Sequence, residues 1–154
     1  FVDVVNVTSA ADMADVVKSK AAEQDIIIMT AAVADFCPSH PADEKIKKND
    51  SSYESVIELE RTEDILSYLG AHKAKGQLIC GFSMETQNML ENSKAKLAKK
   101  NADMIVANNL KVAGAGFGTD TNVVTLITAD DCTELEIMDK SCVAARIMDR
   151  LLKM

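Results

Sequence analysis

The segment Asp25-Ile-Ile-Ile-Met-Thr-Ala-Ala-Val-Ala-Asp35-Phe36 joins a continuous apolar run to a group of small residues and then to a carboxylate. Four successive apolar residues, Ile26 to Met29, are typical of a strand covered on both faces, as in parallel sheets. In an open α/β sheet, ligands bind beyond the carboxyl ends of strands, so the small residues would let a ligand approach and Asp35 would face it. The alternative is a turn in which Asp35 hydrogen-bonds nearby amides.

Apolar periodicity alternates between two and 3.6 residues on both sides of this segment, which predicts an α/β fold. We expect a Rossmann-like three-layer domain with a mainly parallel sheet and a C-terminal β-hairpin plus helix. Strands are predicted over residues 2–7, 25–30, 53–60, 78–82, 104–107, 122–128 and 134–138. Helices are predicted from Thr8 or Ser9 to about Ala22, over 62–70 and 86–100, and after Asp139 or Ser141 along a buried stripe of Val143, Ile147 and Leu151.

Composition narrows the class of protein. The 154 residues carry 17 Lys+Arg against 24 Asp+Glu, a net charge of −7, which argues against a broad basic surface for nucleic acid. Hydrophobic residues make up 47% of the chain, yet no apolar run approaches the roughly 20 residues that span a bilayer. The four cysteines are far apart and lack a Cys-x-x-Cys pair. We therefore expect one soluble, cytoplasmic domain over residues 1–154, with no nucleic-acid or membrane partner.

Two groups of lysines could handle an anion. Lys45, Lys47 and Lys48 lie in the long connection after the second predicted strand, where they could close over a polyphosphate or form a solvated charge run. Lys96 and Lys100 are spaced i, i+4 on a predicted helix and could converge on one anion. The alternative for this second pair is a solvated face that complements the helix dipole.

Two other patterns carry less weight. Gly114, Gly116 and Gly118 precede a predicted strand, whereas phosphate loops place their glycines at a helix N-terminus, so we interpret this segment as a flexible turn. His40 and His72 lie in polar stretches without a paired nucleophile or a second metal ligand in the sequence, and neither is predicted to be catalytic.

Six motifs follow one another along the chain: Ala31-Ala-Val-Ala-Asp-Phe36, Lys45-Ile-Lys-Lys48, Glu63-Asp-Ile-Leu66, Gly81-Phe-Ser-Met-Glu-Thr86, the segment 96–108, and Gly116-Phe-Gly-Thr-Asp-Thr-Asn122. Their order resembles that of bacterial phosphopantothenate–cysteine ligase, the synthetase domain of the bifunctional coenzyme A biosynthesis flavoprotein. The resemblance covers essentially the whole chain.

The resemblance implies a CTP-dependent amide synthesis in two steps. The carboxylate of 4′-phosphopantothenate would attack the α-phosphate of CTP, giving an acyl-cytidylate and pyrophosphate, and the amine of L-cysteine would then displace CMP. Mg²⁺ would accompany the triphosphate. FMN would be present only if a decarboxylase domain were fused upstream. The resemblance also implies a homodimer.

By position, the resemblance makes Lys45 the catalytic lysine of a closing loop. It places the nucleotide among Ala31, Ala32, Asp35, Lys45, Glu63, Asp64, Ile65, Leu66, Phe82, Lys96 and Lys100, and it assigns no metal ligands. Two departures from the family pattern are Glu63, where many relatives have proline, and Ser83-Met84, where two alanines are common.

The start of the chain is unusual, because it opens at Phe1 within an alternating apolar run rather than at a methionine. The family normally has an earlier strand and a glycine- and serine-rich segment with an asparagine that acts in the acyl-cytidylate chemistry. We therefore expect a domain that lacks its N-terminal strand–helix–strand segment. The alternative function is a non-catalytic nucleotide-binding or assembly domain. A nicotinamide-dependent dehydrogenase is disfavoured, since no glycine fingerprint follows a strand and no Tyr-x-x-x-Lys pair is present.

Overall fold

The computed structural model describes residues 2–42, 44–45, 56–84, 88–109 and 118–154. Its strands are β1 Ile26–Met29, β2 Phe36–Pro38, β3 Leu59–Arg61, β4 Leu78–Met84, β5 Met104–Asn108, β6 Thr121–Asn122, β7 Val124–Ile127, β8 Cys132–Glu134 and β9 Met138–Asp139. Its helices are α1 Ala10–Ala21, α2 Ile65–Ala71, α3 Met89–Lys99 and α4 Lys140–Leu151.

A mixed five-stranded sheet in the order β1-β4-β5-β7-β8 forms the centre of the fold. Strands β1, β4 and β5 are parallel, whereas β7 and β8 form an antiparallel hairpin that continues the sheet from β5. Two small ribbons, β2 with β3 and β6 with β9, lie outside it. The predicted α/β class and the C-terminal hairpin are confirmed.

Helices cover both faces of the sheet, which gives the predicted three layers. Helix α4 packs on one face through Val143, Ile147 and Leu151, and the predicted buried stripe is thus confirmed. The other three helices pack on the opposite face, where Ala14 of α1 and Leu97 of α3 are buried. Strands β5 and β7 are buried along almost their whole length, because both of their faces are covered.

Helix α1 is capped by Ser9, one of the two caps that the sequence predicts, and the cap is a capping box with Asp12. The Asp12 N–H donates to Ser9 Oγ at 3.1 Å, and the Ser9 N–H donates back to Asp12 Oδ2 at 3.0 Å. Each residue therefore satisfies a backbone donor that the first turn of a helix leaves without an intrahelical partner.

Several predicted elements differ in the structure. Residues 2–7 do not form a strand, because in the described part of the chain no backbone hydrogen bond joins them to β1. Strand β1 is an edge strand and only half-buried, since β4 is its sole described neighbour in the sheet. Helix α2 begins at Ile65, capped by Asp64 rather than Thr62. Gly70 lies inside α2 and does not end it.

Some predictions fall outside the described residues. These are the strand start at 53–55, the helix start at 86–87, Lys47 and Lys48, and the glycines at 114 and 116. Within the described ranges, no helix is long and apolar enough to cross a membrane. All four cysteines are free thiols.

Candidate functional site

A cavity of about 280 Å³ opens at the carboxyl ends of the parallel neighbours β1 and β4. Its walls come from the segment after β1, the start of α2, the second half of β4 and the end of α3. The lining residues are Met29, Ala31, Val33, Ala34, Asp35, Thr62, Glu63, Asp64, Ile65, Leu66, Phe82, Lys96 and Lys100. This is the edge of an α/β sheet at which ligands bind.

Nine of the eleven residues expected at a nucleotide site line this one cavity. The other two do not. Ala32 lines an adjoining groove beside Ala10 of α1, which shares Ala31, Val33 and Ala34 with the cavity. Lys45 is exposed and stands outside the cavity lining, at the edge of the described segment.

The lining also includes four residues outside the expected nucleotide-binding set, namely Met29, Val33, Ala34 and Thr62. Thr62 closes the rim, since its N–H donates to the Asp35 carbonyl at 3.0 Å and its hydroxyl donates to the Ala34 carbonyl. The sequence carries no signal for this contact, because it joins residues 27 and 28 positions apart through backbone carbonyls that every residue has.

Lys100 is held in the cavity wall by two partners on α2 and its cap. Its Nζ is ion-paired with the Asp64 carboxylate and donates to Ser67 Oγ at 3.0 Å. The Lys100 side chain is only 13% exposed, so its charge is poorly hydrated and depends on these partners.

Asp64 links the helix cap to this ion pair. One carboxylate oxygen accepts the Ser67 N–H at 2.9 Å, and the other accepts from Lys100. Partial burial raises the pKa of Asp64, but the hydrogen bonds from Lys100 and Ser67 and the charge of Lys100 together outweigh burial, so the pKa lies below its ordinary value. Asp64 is therefore a carboxylate at neutral pH.

Lys96 lies one helical turn before Lys100 and lines the same cavity. Its Nζ donates to the Phe82 carbonyl at 2.8 Å, which places the ammonium group at the carboxyl-terminal half of β4. The i, i+4 spacing of the two lysines thus brings both charges to one cavity rather than to a solvated face.

Two glycines allow the helices to come this close. At Gly70, an added Cβ would lie 1.8 Å from the Lys100 carbonyl oxygen, and Asn101 Nδ2 donates to the Gly70 carbonyl at 2.7 Å. At Gly81 of β4, an added Cβ would lie 2.6 Å from Leu66 Cδ2. The absence of a side chain at both positions fixes α2 against β4 and the end of α3, and so sets the separation of the cavity walls.

Glu63 is the third carboxylate in the lining and has its partner outside the cavity. Lys18 of α1 donates to its carboxylate, and this hydrogen bond, which outweighs partial burial, raises the pKa of Lys18. In the described ranges, no three His, Cys, Asp or Glu side chains come together to hold a metal ion.

Comparison with known proteins shows the family to which this chain belongs. The DNA/pantothenate metabolism flavoprotein C-terminal domain family matches residues 1–154. The chain is 47% identical over 148 residues to the coenzyme A biosynthesis bifunctional protein CoaBC of Bacillus subtilis (strain 168), covering 96% of this chain and 36% of that protein. It is 45% identical over 152 residues to a cysteine/cysteine sulfinic acid decarboxylase of an unidentified prokaryote, covering 98% and 42%.

A solved structure agrees with the match to CoaBC. The crystal structure of the C-terminal domain of a coenzyme A biosynthesis bifunctional protein CoaBC superimposes with a TM-score of 0.76 at 42% identity, covering 97% of this chain and 66% of that one. The chain thus spans less than half the length of these two curated relatives and about two thirds of the solved domain. The chain belongs to the DNA/pantothenate metabolism flavoprotein C-terminal domain family, which confirms the family predicted from its motif order.

Proposed function

We propose that the chain binds CTP in the cavity between β1, β4, α2 and α3 and serves the ligation of 4′-phosphopantothenate with L-cysteine in coenzyme A biosynthesis. The observation that carries the proposal is the convergence of nine expected nucleotide-binding residues on one cavity. The name of the B. subtilis relative, a bifunctional protein of coenzyme A biosynthesis, supports the same pathway.

The two lysines would bind the phosphates. An ammonium group has three N–H donors. Lys100 uses two of them in its hydrogen bonds to the Asp64 carboxylate and to Ser67 Oγ. The described partner of Lys96 takes one, on the Phe82 carbonyl. The donors that remain can point into the cavity and stabilise charge on a triphosphate without a change of side-chain position.

The proposed chemistry activates a carboxylate. An oxygen of the 4′-phosphopantothenate carboxylate forms a bond to the α-phosphorus of CTP while the bond to pyrophosphate breaks. The amine of L-cysteine then attacks the acyl carbon, CMP leaves with that oxygen, and the amine loses a proton. Lys45 is the proposed catalytic lysine of this sequence. It would have to approach from outside the present cavity lining.

Mg²⁺ is proposed to arrive with the triphosphate. Mg²⁺ is commonly held by one or two carboxylates together with phosphate oxygens. Among the described residues, Asp35 is the lining carboxylate that has no ion-pair partner, and it suits this role. FMN, a homodimer and a cytoplasmic location remain predictions from the family resemblance.

Calorimetric titration with CTP, and with ATP as the comparison, tests the nucleotide site in the presence of Mg²⁺. We expect saturable CTP binding that weakens in Lys96→Ala and Lys100→Ala. Lys94→Ala is the matched control, because Lys94 lies on the same helix but is exposed and outside the lining. Equal affinity in all three variants, or no CTP binding by the folded chain, would contradict the proposed site.

A second candidate function is a nucleotide-binding domain without catalysis, and the position of Lys45 outside the lining favours it. The two candidates differ in one measurement. In the full-length natural protein, Lys45→Ala should keep CTP binding but lose ligation, measured as CMP release that depends on L-cysteine. Ligation that is unchanged would remove Lys45 from the mechanism, and CTP binding without any turnover in the wild type would favour the non-catalytic candidate.

A further inference from the structure

The charges of the described cavity lining do not balance. Three carboxylates, on Asp35, Glu63 and Asp64, face two ammonium groups, on Lys96 and Lys100. Asp64 and Lys100 neutralise each other through their ion pair. A triphosphate brings several negative charges, so an uncompensated carboxylate in the wall would oppose its binding.

The missing positive charge comes from a residue that does not line the cavity. Lys18 lies on α1, and its ammonium group forms an ion pair with the Glu63 carboxylate. The side chains are 25% and 45% exposed, so the pair is partly buried rather than in open solvent, and its Glu63 partner belongs to the cavity lining. The charge of the Glu63 carboxylate is therefore neutralised by a residue outside the cavity lining.

Aromatic contacts hold Lys18 in this place. Its Nζ lies 4.9 Å from the centroid of the Tyr68 ring, within the range of a cation–π interaction. The Tyr68 ring in turn stacks on His72, with centroids 4.1 Å apart. His72 Nδ1 is 2.8 Å from the Tyr68 carbonyl oxygen, which fixes the imidazole on the same turn of α2.

We propose that Lys18 is a positioning residue that neutralises Glu63 in the cavity wall and thereby lets the site accept a polyphosphate. The inference rests on the proposed function, because it takes the triphosphate of CTP as the anion. It predicts that Lys18 acts on the charged part of the ligand and has no effect on binding of the neutral nucleoside.

A purely structural role is the competing explanation, since Lys18 also joins α1 to the start of α2. The two explanations differ in their ligand dependence. Loss of a structural tie would weaken CTP and cytidine together, whereas loss of charge compensation would weaken CTP alone. The two explanations also differ in whether Glu63→Gln restores CTP affinity to Lys18→Met. Glu63→Gln removes the charge that Lys18 compensates, but it does not restore the contact between α1 and the start of α2.

The experiment compares wild type with Lys18→Met, Glu63→Gln, the double variant and Lys20→Met. Lys20 is the matched control, an exposed lysine in the last turn of the same helix. Binding of CTP is measured by calorimetry at low and high salt, and binding of cytidine by ligand-observed NMR. The midpoint of urea unfolding of each variant shows that it is folded.

Lys18→Met should weaken CTP binding about fivefold at low salt, the effect of one unit charge roughly 8 Å away at an effective dielectric constant of about 40. The loss should shrink at high salt, cytidine binding should not change, and the double variant should bind CTP more tightly than Lys18→Met. Equal CTP affinity in Lys18→Met and Lys20→Met, parallel loss of CTP and cytidine, or failure of the double variant to recover would each overturn the inference. If the wild type binds no CTP, the proposed function and the inference both fail, whereas the other outcomes overturn the inference alone.

Discussion

Gly70→Ala should destabilise the domain, although alanine in place of glycine inside a helix normally stabilises it by about 1 kcal/mol. The reason is the close approach of α2 to the end of α3. The new Cβ would lie 1.8 Å from the Lys100 carbonyl oxygen and 2.9 Å from the carbonyl carbon, while ordinary contact begins at 3.4 Å. The two segments would have to separate by about 1.6 Å, and the obstacle is backbone, which cannot rotate away.

The size of the effect follows from three contributions. Overpacking of this kind costs roughly 1–3 kcal/mol. Separation also breaks the hydrogen bond from Asn101 Nδ2 to the Gly70 carbonyl, which contributes about 1 kcal/mol. The gain in helix propensity offsets about 1 kcal/mol. The net destabilisation is therefore about 2 kcal/mol, which lowers the melting temperature of a chain of this size by roughly 4–8 °C.

Urea unfolding followed by circular dichroism measures the loss of stability, and CTP titration reports its consequence at the site. The same shift would move Asp64 away from Lys100, so CTP affinity should fall as well. Gly76→Ala is the control, since Gly76 has a φ of +85° but open space around its Cβ position, and it should lose stability without losing affinity. A Gly70→Ala variant as stable as the wild type would refute the reasoning.

Three further predictions concern other parts of the fold. Cys80 should resist thiol reagents at pH 8 while the exposed Cys132 and Cys142 react, because burial, with the charge of Asp103, raises the pKa of the Cys80 thiol to about 12. Mass spectrometry after brief iodoacetamide treatment measures the order of labelling, and early labelling of Cys80 would contradict the prediction. The pKa of Asp64 lies below its ordinary value of 3.8, so the stability that the Asp64 carboxylate contributes is present above that pH and is lost as the pH falls through the lower folded-state pKa. In that acidic window, the urea midpoint of the wild type should therefore fall more steeply than that of Asp64→Asn. Parallel curves for the two proteins would count against the ion pair. Ile147→Ala should lower the free energy of unfolding by about 2–5 kcal/mol, because Ile147 is buried in the apolar stripe of α4. Calorimetric or urea unfolding measures the change, and a loss below about 1 kcal/mol would mean that α4 does not cover the sheet as described.

The helices and strands with the clearest periodicity were predictable from the sequence. Val143, Ile147 and Leu151 recur every four residues and lie on the buried side of α4. Ser9 caps α1, because serine is one of the residue types preferred at the N-cap of a helix. Residues 2–7 show why alternation alone is insufficient. Alternating side chains favour an extended chain, but a strand also needs a neighbour to accept its backbone hydrogen bonds, and the sequence does not state which neighbour that is.

The candidate site was predicted by motif rather than by physical pattern. Spacing placed Lys96 and Lys100 on one helical face, but only the packing of α2 against α3 shows that Asp64 meets Lys100. The Lys18–Glu63 pair was not predictable, because its residues are 45 positions apart and each looks like an ordinary exposed charge. The role of Gly70 was also missed, since its sequence position favoured a helix end rather than a close contact.

The contact that Thr62 makes with the carbonyls of Ala34 and Asp35 joins the two ends of the segment that begins with β2 and ends with β3, so the length of that segment can change without affecting the rest of the fold. The chain leaves the cavity rim along β2 and returns along β3, and these ends are paired from Phe36 with Arg61 to Pro38 with Leu59. A segment whose ends are joined at its base does not set the positions of the elements on either side, and lengthening it costs little closure entropy. Insertions and deletions between Pro38 and Leu59 that keep Lys45 should therefore leave the fold of the rest of the domain and the spacing of the cavity walls unchanged.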